Sequence, residues 1–322
     1  MVVGEPSELS FMFSGGIRLD QPFTAQLLYE LAKMDGAIIV NTSLTKLSYA
    51  NVQLMPDPDI PSNETGTRHR TAERVAKQTG ALVLSVSQQR ATVTLFLGDV
   101  RYQLEAIADV LAKTNQALHT LETYRQRLDQ VLTRLTALEF QNAARLEDVL
   151  IVLQRAEMTM RMAEEIERDC IELGTEGRLI GMQLGELIVE VPSMTNAVIS
   201  DYHVSADPED SREAAVALHA LPYQGLLVLE LIAELLGYPS TINPIDHAVA
   251  PRGHRILAQV PRLPEAVIGR VVEGLGGLDA ILRASHRDLE AVEGVGPARA
   301  REIREGLRRL QEQNLVERYL TP

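Results

Sequence analysis

Gly66-Thr67-Arg68-His69-Arg70-Thr71-Ala72-Glu73-Arg74 places three side chains able to carry positive charge in a row behind a hydroxyl residue. Thr67 fits a helix N-cap, Thr71 to Gln78 continues as helix, and Gly80 stops it. Arg68, His69 and Arg70 then fall in the first turn, where free amides and the helix dipole already favour an anion. Cations stacked on that positive end are unfavourable unless an anion neutralises them. A bound phosphate is the simplest occupant; a solvated basic helix start is the competing reading.

Upstream, Phe23 to Met34 reads as a helix, because Phe23, Leu27, Leu28 and Leu31 recur near helical spacing. It breaks at Lys33-Met34-Asp35-Gly36-Ala37, and Ala37-Ile38-Ile39-Val40 then reads as a buried strand. Asp35 therefore stands in a loop entering a sheet, beside Gly36 and Ala37, which are too small to block a ligand. A carboxylate there can hold a divalent metal or accept a proton from a hydroxyl nucleophile. Taken alone, Asp-Gly is a turn signal.

Three segments together are more specific. Lys33-Met34-Asp35-Gly36-Ala37-Ile38-Ile39, Tyr49-Ala50-Asn51-Val52-Gln53-Leu54 and Gly66-Thr67-Arg68-His69-Arg70 closely resemble the diadenylate cyclase family. In that family the Asp-Gly-Ala and Arg-His-Arg motifs mark the nucleotide site, and both stand intact here. The whole chain, from about Met1 to its C-terminus, is similar to the DNA-integrity-scanning members, which carry the cyclase domain first. Relatives begin with a helical segment and a full first strand ahead of the position of Met1, so this chain is expected to open beyond much of that segment.

The resemblance implies an α/β cyclase domain around a mixed sheet, and condensation of two ATP molecules to cyclic di-AMP and two pyrophosphates. Each 3′-hydroxyl attacks the α-phosphate of the other ATP, so two cyclase domains must face one another across a two-fold axis. It also implies an octamer and suppression of synthesis by branched DNA such as Holliday junctions. Asp35 would bind Mg²⁺ or Mn²⁺ and help to activate the 3′-hydroxyl. Arg68, His69 and Arg70 would neutralise the phosphates as pyrophosphate leaves. Thr67 and Thr71 would hydrogen-bond phosphate oxygens, Gly36 and Leu54 would touch the nucleotide through backbone groups, and Ser87 lines the pocket by family position. Arg90 is a weaker candidate for phosphate contact across the dimer. No Walker-type glycine-rich loop is present in the sequence, which excludes a P-loop enzyme.

Near the other end, Glu293-Gly294-Val295-Gly296-Pro297 follows a short helix that Ser285 can cap and that ends near Val292. Gly-Val-Gly makes a tight hairpin and Pro297 opens a second helix. This pattern matches a helix-hairpin-helix motif, in which the backbone of Gly294, Val295 and Gly296 reaches a phosphate and Arg299 and Arg301 add charge. Arg304, Arg308 and Arg309 could extend that contact. Glu273-Gly274-Leu275-Gly276-Gly277-Leu278 looks like a degenerate first hairpin of the same fold. A hairpin used only for packing is the competing reading.

Charge is divided in the same sense. The net charge is −13, yet from Pro251 onward 12 arginines face 10 acidic residues, against 19 basic and 34 acidic residues before it. An acidic body with a mildly basic end points to local contact with DNA. The chain's one cysteine, Cys170, excludes an internal disulfide framework and suits a reducing cytoplasm, with nucleoid association implied by the resemblance; the residue itself reads as structural filler. No run approaches the ~20 apolar residues of a membrane span.

Between the ends, Leu111, Leu118, Leu121, Leu128, Leu132 and Leu135 stripe a predicted helix from about Leu104 to Phe140, and a second runs from about Leu146 to Leu173 with Gly174 as its stop. The stripe reads as an intramolecular seam and the pair as a spine. Glu164, Glu165 and Glu167 read as a solvated face. In the first domain, Ala81 to Ser87 and Ala91 to Leu97 are predicted neighbouring strands, with Gly98-Asp99 turning into Val100 to Tyr102. The expected organisation is a cyclase domain over 1–102, an all-α spine over 103–250 and a helix-hairpin-helix domain over 251–322. The competing function is a DNA-structure-binding scaffold whose cyclase domain binds nucleotide without turnover.

Overall fold

Apolar residues at consecutive positions of Ala37–Val40 bury a strand on both faces, and the rest of the first unit is arranged around it. The computed structural model describes residues 1–87 and 92–320. Arg90 and the start of the strand expected at Ala91 lie outside the described residues. The chain forms two compact units, Met1–Val110 and Leu111–Pro322.

In the first unit the order is β1 (Val2–Val3), α1 (Pro6–Leu9), β2 (Phe13–Ser14), β3 (Ile17–Pro22), α2 (Ala25–Leu31), β4 (Ala37–Val40), β5 (Lys46–Leu54), α3 (Thr67–Thr79), β6 (Leu82–Ser87), β7 (Thr92–Leu97) and β8 (Val100–Gln103). Among the described residues they build one sheet in the order β2-β5-β4-β1-β6-β7-β8, with β3 also paired to β5. Only β1 and β4 pair in parallel; the other pairs are antiparallel, so the sheet is mixed as expected. Side chains alternate across it. Ile39, Val52, Val83 and Phe96 pack with Ala72, Val75 and Ala76 of α3 on one face. Ile38, Val40, Leu47 and Ala50 meet Leu27, Leu28 and Leu31 of α2 on the other.

The helix expected over Phe23 to Met34 is shorter. Phe23 donates its N–H to Thr45 O at 2.8 Å just past the end of β3, while Thr24 caps the helix by accepting the N–H of Leu27. The strand from Ala81 begins at Leu82, and Gly98-Asp99 forms the expected turn, with Gly98 at φ 54°.

The second unit is helical: α4 (Ile107–Phe140), α5 (Leu146–Leu173), a 3₁₀ turn (Gly174–Gly177), α6 (Arg178–Ile188), α7 (Val191–Tyr202), α8 (Pro208–Ala220), α9 (Tyr223–Leu226), α10 (Leu229–Leu235), α11 (His254–Ala258), α12 (Glu265–Leu275), α13 (Leu278–Arg283), α14 (His286–Glu290) and α15 (Pro297–Leu320). The long helix α4 starts three residues later than expected, because Leu104 donates its N–H to Val93 O and finishes the sheet instead. At 34 residues it is about 51 Å long. Helix α5 has the expected ends, with Gly174 at φ 58° closing it. Leu118, Leu121, Leu128 and Leu135 are buried, so the leucine stripe is an intramolecular seam.

Two hydrophobic clusters are prominent among the described residues of this unit. The larger joins Leu128, Leu135, Leu150, Leu153, Val198 and Ile199; the smaller joins Ile256, Val271, Leu289, Val295, Ile303 and Leu307. A buried polar knot stands beside them. Arg255 of α11 pairs with Glu139 in the last turn of α4, and Tyr202 donates its hydroxyl to the same carboxylate at 2.8 Å. Asp201 accepts the backbone N–H groups of Gly253, His254 and Arg255 at 2.7, 2.6 and 3.0 Å. Burial, opposed by those amides, pushes the Asp201 carboxyl up to about 7.

Candidate active site

The start of α3 differs from the expectation by one residue. Gly66 occupies the cap position at φ −89° and ψ 142°, and Thr67 is the first helical residue, with no side chain capping the turn. Arg70 donates its N–H to Gly66 O at 2.8 Å, which leaves the amides of Thr67, Arg68 and His69 outside the helical ladder. A glycine fits because the cap needs extended backbone, and an external anion can supply the acceptor that a hydroxyl would have provided.

Thr67 and Arg68 line a cleft of about 640 Å³, within the usual range for a small-molecule site. One wall is Thr67, Arg68, Thr71 and Ala72 of α3; facing it are Asp35, Gly36 and Ala37 entering β4. Val83 to Val86 of β6, Asn51 to Leu54 of β5 and the Ser14-Gly15-Gly16 turn complete the lining. Across the cleft Arg68 Nη2 donates to Asp35 Oδ1 at 3.3 Å. Both side chains stay open to solvent, Asp35 at 99% and Arg68 at 71% of full exposure.

Asp35, Gly36, Leu54, Thr67, Arg68 and Thr71 are thus brought together, whereas His69, Arg70 and Ser87 do not line this cleft. Consecutive helix residues point about 100° apart, so Arg68, Thr71 and Ala72 share one face and His69 turns away. His69 meets the buried Phe96 ring edge-on at 6.5 Å, and Arg70 Nε reaches Glu64 O at 3.4 Å. Ser87 closes β6 just past the lining residues.

Sequence reasoning missed the loop that carries α3. Glu73 is buried, accepts from Ser62 and from the N–H of Asn63, and pairs with Lys77 at 2.9 Å. Burial opposes its charge, but the hydrogen bonds from Ser62 and Lys77 prevail and hold the carboxyl below the usual range. Arg74 Nε donates to Ile60 O at 2.8 Å and Lys77 to Pro61 O at 3.1 Å, so the helix itself pins the preceding loop. The i,i+4 Glu73–Lys77 spacing was the available signal. Gly15-Gly16, a turn dipeptide, signalled another missed wall.

Among the described residues no three His, Cys, Asp or Glu side chains gather as a metal cage. One exposed carboxylate at the cleft, paired only loosely with Arg68, fits Mg²⁺ or Mn²⁺ of the kind completed by phosphate oxygens and water. Asp35 would hold it. Cys170 is half-buried, and burial followed by the charges of Asp169 and Glu167 pushes its thiol up, away from reactivity.

In the second unit, Ser285 and Asp288 form a reciprocal capping box on α14, and Gly294 at φ 81° turns the chain into α15, which Pro297 opens. Val295 is buried in the smaller core. Space beside Gly296 is open, while a Cβ on Gly294 would come within 2.6 Å of Arg270 Nη2. Arg299 donates to Gly294 O at 2.7 Å and Arg301 to Pro297 O at 3.3 Å. Upstream, Gly276 and Gly277, both at positive φ, join α12 to α13 in a second glycine turn.

Residues 1–100 match the family described as DisA bacterial checkpoint controller nucleotide-binding, and residues 104–244 match the DisA bacterial checkpoint controller linker region. The DNA integrity scanning protein DisA of Carboxydothermus hydrogenoformans is 48% identical over 97% of this chain and 89% of its own length. Its counterpart in Streptomyces coelicolor is 48% identical over 99% of this chain and 86% of its own, and that of Clostridium acetobutylicum 43% over 99% and 89%. The chain belongs to the DisA family. As a member it is a diadenylate cyclase, a nucleotidyltransferase that uses ATP, and its α/β first unit carries the nucleotide-binding part. No helix among the described residues is long and apolar enough to cross a membrane.

Proposed function

We propose that the cleft between α3 and the Asp35 turn holds one ATP, and that two such clefts face one another so that each 3′-hydroxyl attacks the α-phosphate of the opposite nucleotide. Each attack forms a 3′-O–P bond and breaks the bond between the α- and β-phosphates, releasing pyrophosphate; two attacks close cyclic di-AMP. The observation that carries this reading is the Arg68–Asp35 pair at 3.3 Å beside the start of α3, which no side chain caps. A cation and an anion, both exposed, are thereby free to meet phosphates and a hydroxyl, which supports this reading.

In this scheme the amides of Thr67 and Arg68 and the Arg68 guanidinium receive the phosphate charge, and the hydroxyls of Thr67 and Thr71 donate to its oxygens. Gly36 and Leu54 contact the nucleotide through their backbone. Asp35 orients the 3′-hydroxyl and takes up its proton. A divalent cation at Asp35 supplies Lewis acidity to the phosphates and the hydroxyl. His69 and Arg70, which turn away from the cleft of their own subunit, act on the charge at the facing site, with Ser87 at its edge.

The C-terminal segment from 251 is then a helix-hairpin-helix domain that binds branched DNA through the backbone of Gly294, Val295 and Gly296 and through Arg299 and Arg301. Residues 1–102 form the cyclase part and 103–250 the spine of a homo-octamer. DNA bound at the hairpin lowers synthesis. Support for a route comes from Arg255, which joins the smaller core's α11 to Glu139 of α4. Purified protein incubated with ATP and Mn²⁺ or Mg²⁺, with products resolved by mass, should yield cyclic di-AMP that falls when a four-way junction is added. Intact junction binding with no product would leave a nucleotide-binding scaffold.

A further inference from the structure

Asp35 has almost no packing of its own. Its side chain is 99% exposed and pairs, among the described residues, with Arg68 at the long distance of 3.3 Å. A carboxylate so placed is aimed by its backbone. That backbone is fixed from β5. Gly36 donates its N–H to Asn51 Oδ1 at 3.1 Å, and a Cβ on Gly36 would overlap the Asn51 backbone and side chain.

Asn51 itself is unusual. It adopts φ 55° in the middle of a strand, where non-glycine residues are rare and Asn is the side chain that tolerates it best. The register explains the conformation. Ala37 lies opposite Val52 and Ile39 opposite Tyr49, so β5 carries one extra residue against β4. This is a β-bulge, a device that re-aims chain at a site. The same bulge receives a second loop, since a Cβ on Gly16, at φ 82°, would meet Ala50 O at 2.8 Å.

We infer that Asn51 is a positioning residue: its bulged, left-handed backbone and its Oδ1 acceptor hold the Asp35-Gly36 turn so that the Asp35 carboxylate faces Arg68 across the cleft. The inference rests on the proposed role of Asp35. The side chain and the backbone conformation make separable contributions. Asn51→Gly keeps the left-handed backbone and removes the acceptor; Gly36→Ala keeps the acceptor and drives the turn off the bulge.

The test uses the full chain and two readouts. By steady-state kinetics, Asn51→Gly should lower kcat about 10- to 100-fold, the scale of an ångström-sized misplacement, with KM for ATP within about threefold of native. By calorimetry with a non-hydrolysable ATP analogue, metal-free analogue binding should stay native while Mn²⁺ binding to the protein–analogue complex weakens about tenfold or more. Gly36→Ala, which also shifts backbone placed against the nucleotide, should lower kcat and Mn²⁺ binding with a further loss of analogue binding. Native kcat in Asn51→Gly, or metal-free analogue binding by that variant falling in step with melting temperature, would overturn the inference. If the native chain makes no product, the proposed function fails first, and unchanged Mn²⁺ binding in Asn51→Gly would still sink the inference by itself.

Discussion

Two arginine–carboxylate pairs, one in each unit, use the same chemistry to opposite ends. Arg255 and Glu139 are 5% and 0% exposed, and Tyr202 and Thr136 supply further hydrogen bonds. Arg68 and Asp35 are both largely exposed, meet at 3.3 Å, and have no other side-chain partner among the described residues. A buried pair must keep both members, because removal of one strands a charge in a medium that cannot solvate it. An exposed pair contributes little to stability and is free to exchange its partner for a ligand. The comparison separates charge that the fold cannot lose from charge that a ligand can recruit.

The largest effect on stability is expected at the buried pair. Glu139→Ala should cost about 3–5 kcal/mol of unfolding free energy by leaving Arg255 uncompensated, measured by denaturant titration of the second unit's helical signal. A loss below about 1 kcal/mol would break the comparison. Next comes Asp201, whose carboxyl stands near 7 in the folded chain against 3.8 as its ordinary value. Between those limits the folded state holds a proton that the unfolded state has released. Its contribution is therefore full below about pH 4 and is lost as pH rises through 7. The slope is at most about 1.4 kcal/mol per pH unit. Asp201→Asn should remove that part of the pH dependence; an unchanged difference between pH 5 and pH 7 would show that the three backbone amides keep the carboxylate ionised.

A smaller change is expected at the hairpin. Gly294→Val places a β-branched residue at φ 81° with its Cβ against Arg270, and four-way junction binding should weaken about tenfold, as the loss of one or two good phosphate contacts would give. Unaltered binding in a gel-shift titration would remove the hairpin from the DNA surface. The smallest effect belongs to Arg68→Ala, which should move the melting midpoint by less than about 2 °C. A larger drop would place the exposed pair in the structural class.

Local rules made much of this legible. Leu146 to Leu173 lacks Gly and Pro and ends on Gly174, so α5 was bounded by sequence alone. Asp35, Gly36 and Arg68 were also readable, since each lies at the edge of an element with clear signals. The cap was not, because hydroxyl capping by Thr67 is the commoner solution and the chain uses Gly66 instead. Charge adjacency along the chain overstated the cluster: helical rotation sends Arg68 to the cleft and His69 to Phe96. Asn51 depends on strand register, and Arg255–Glu139 spans 116 positions, so neither leaves a local trace.

The most direct test of the central claim is Asp35→Asn, assayed for cyclic di-AMP by mass and for melting temperature on the same preparation. The exposed, functional pair predicts that synthesis falls on the order of 10²–10³-fold while the midpoint stays within about 2 °C of native. Retained synthesis, or a midpoint that collapses with it, would contradict the assignment of Asp35 to chemistry.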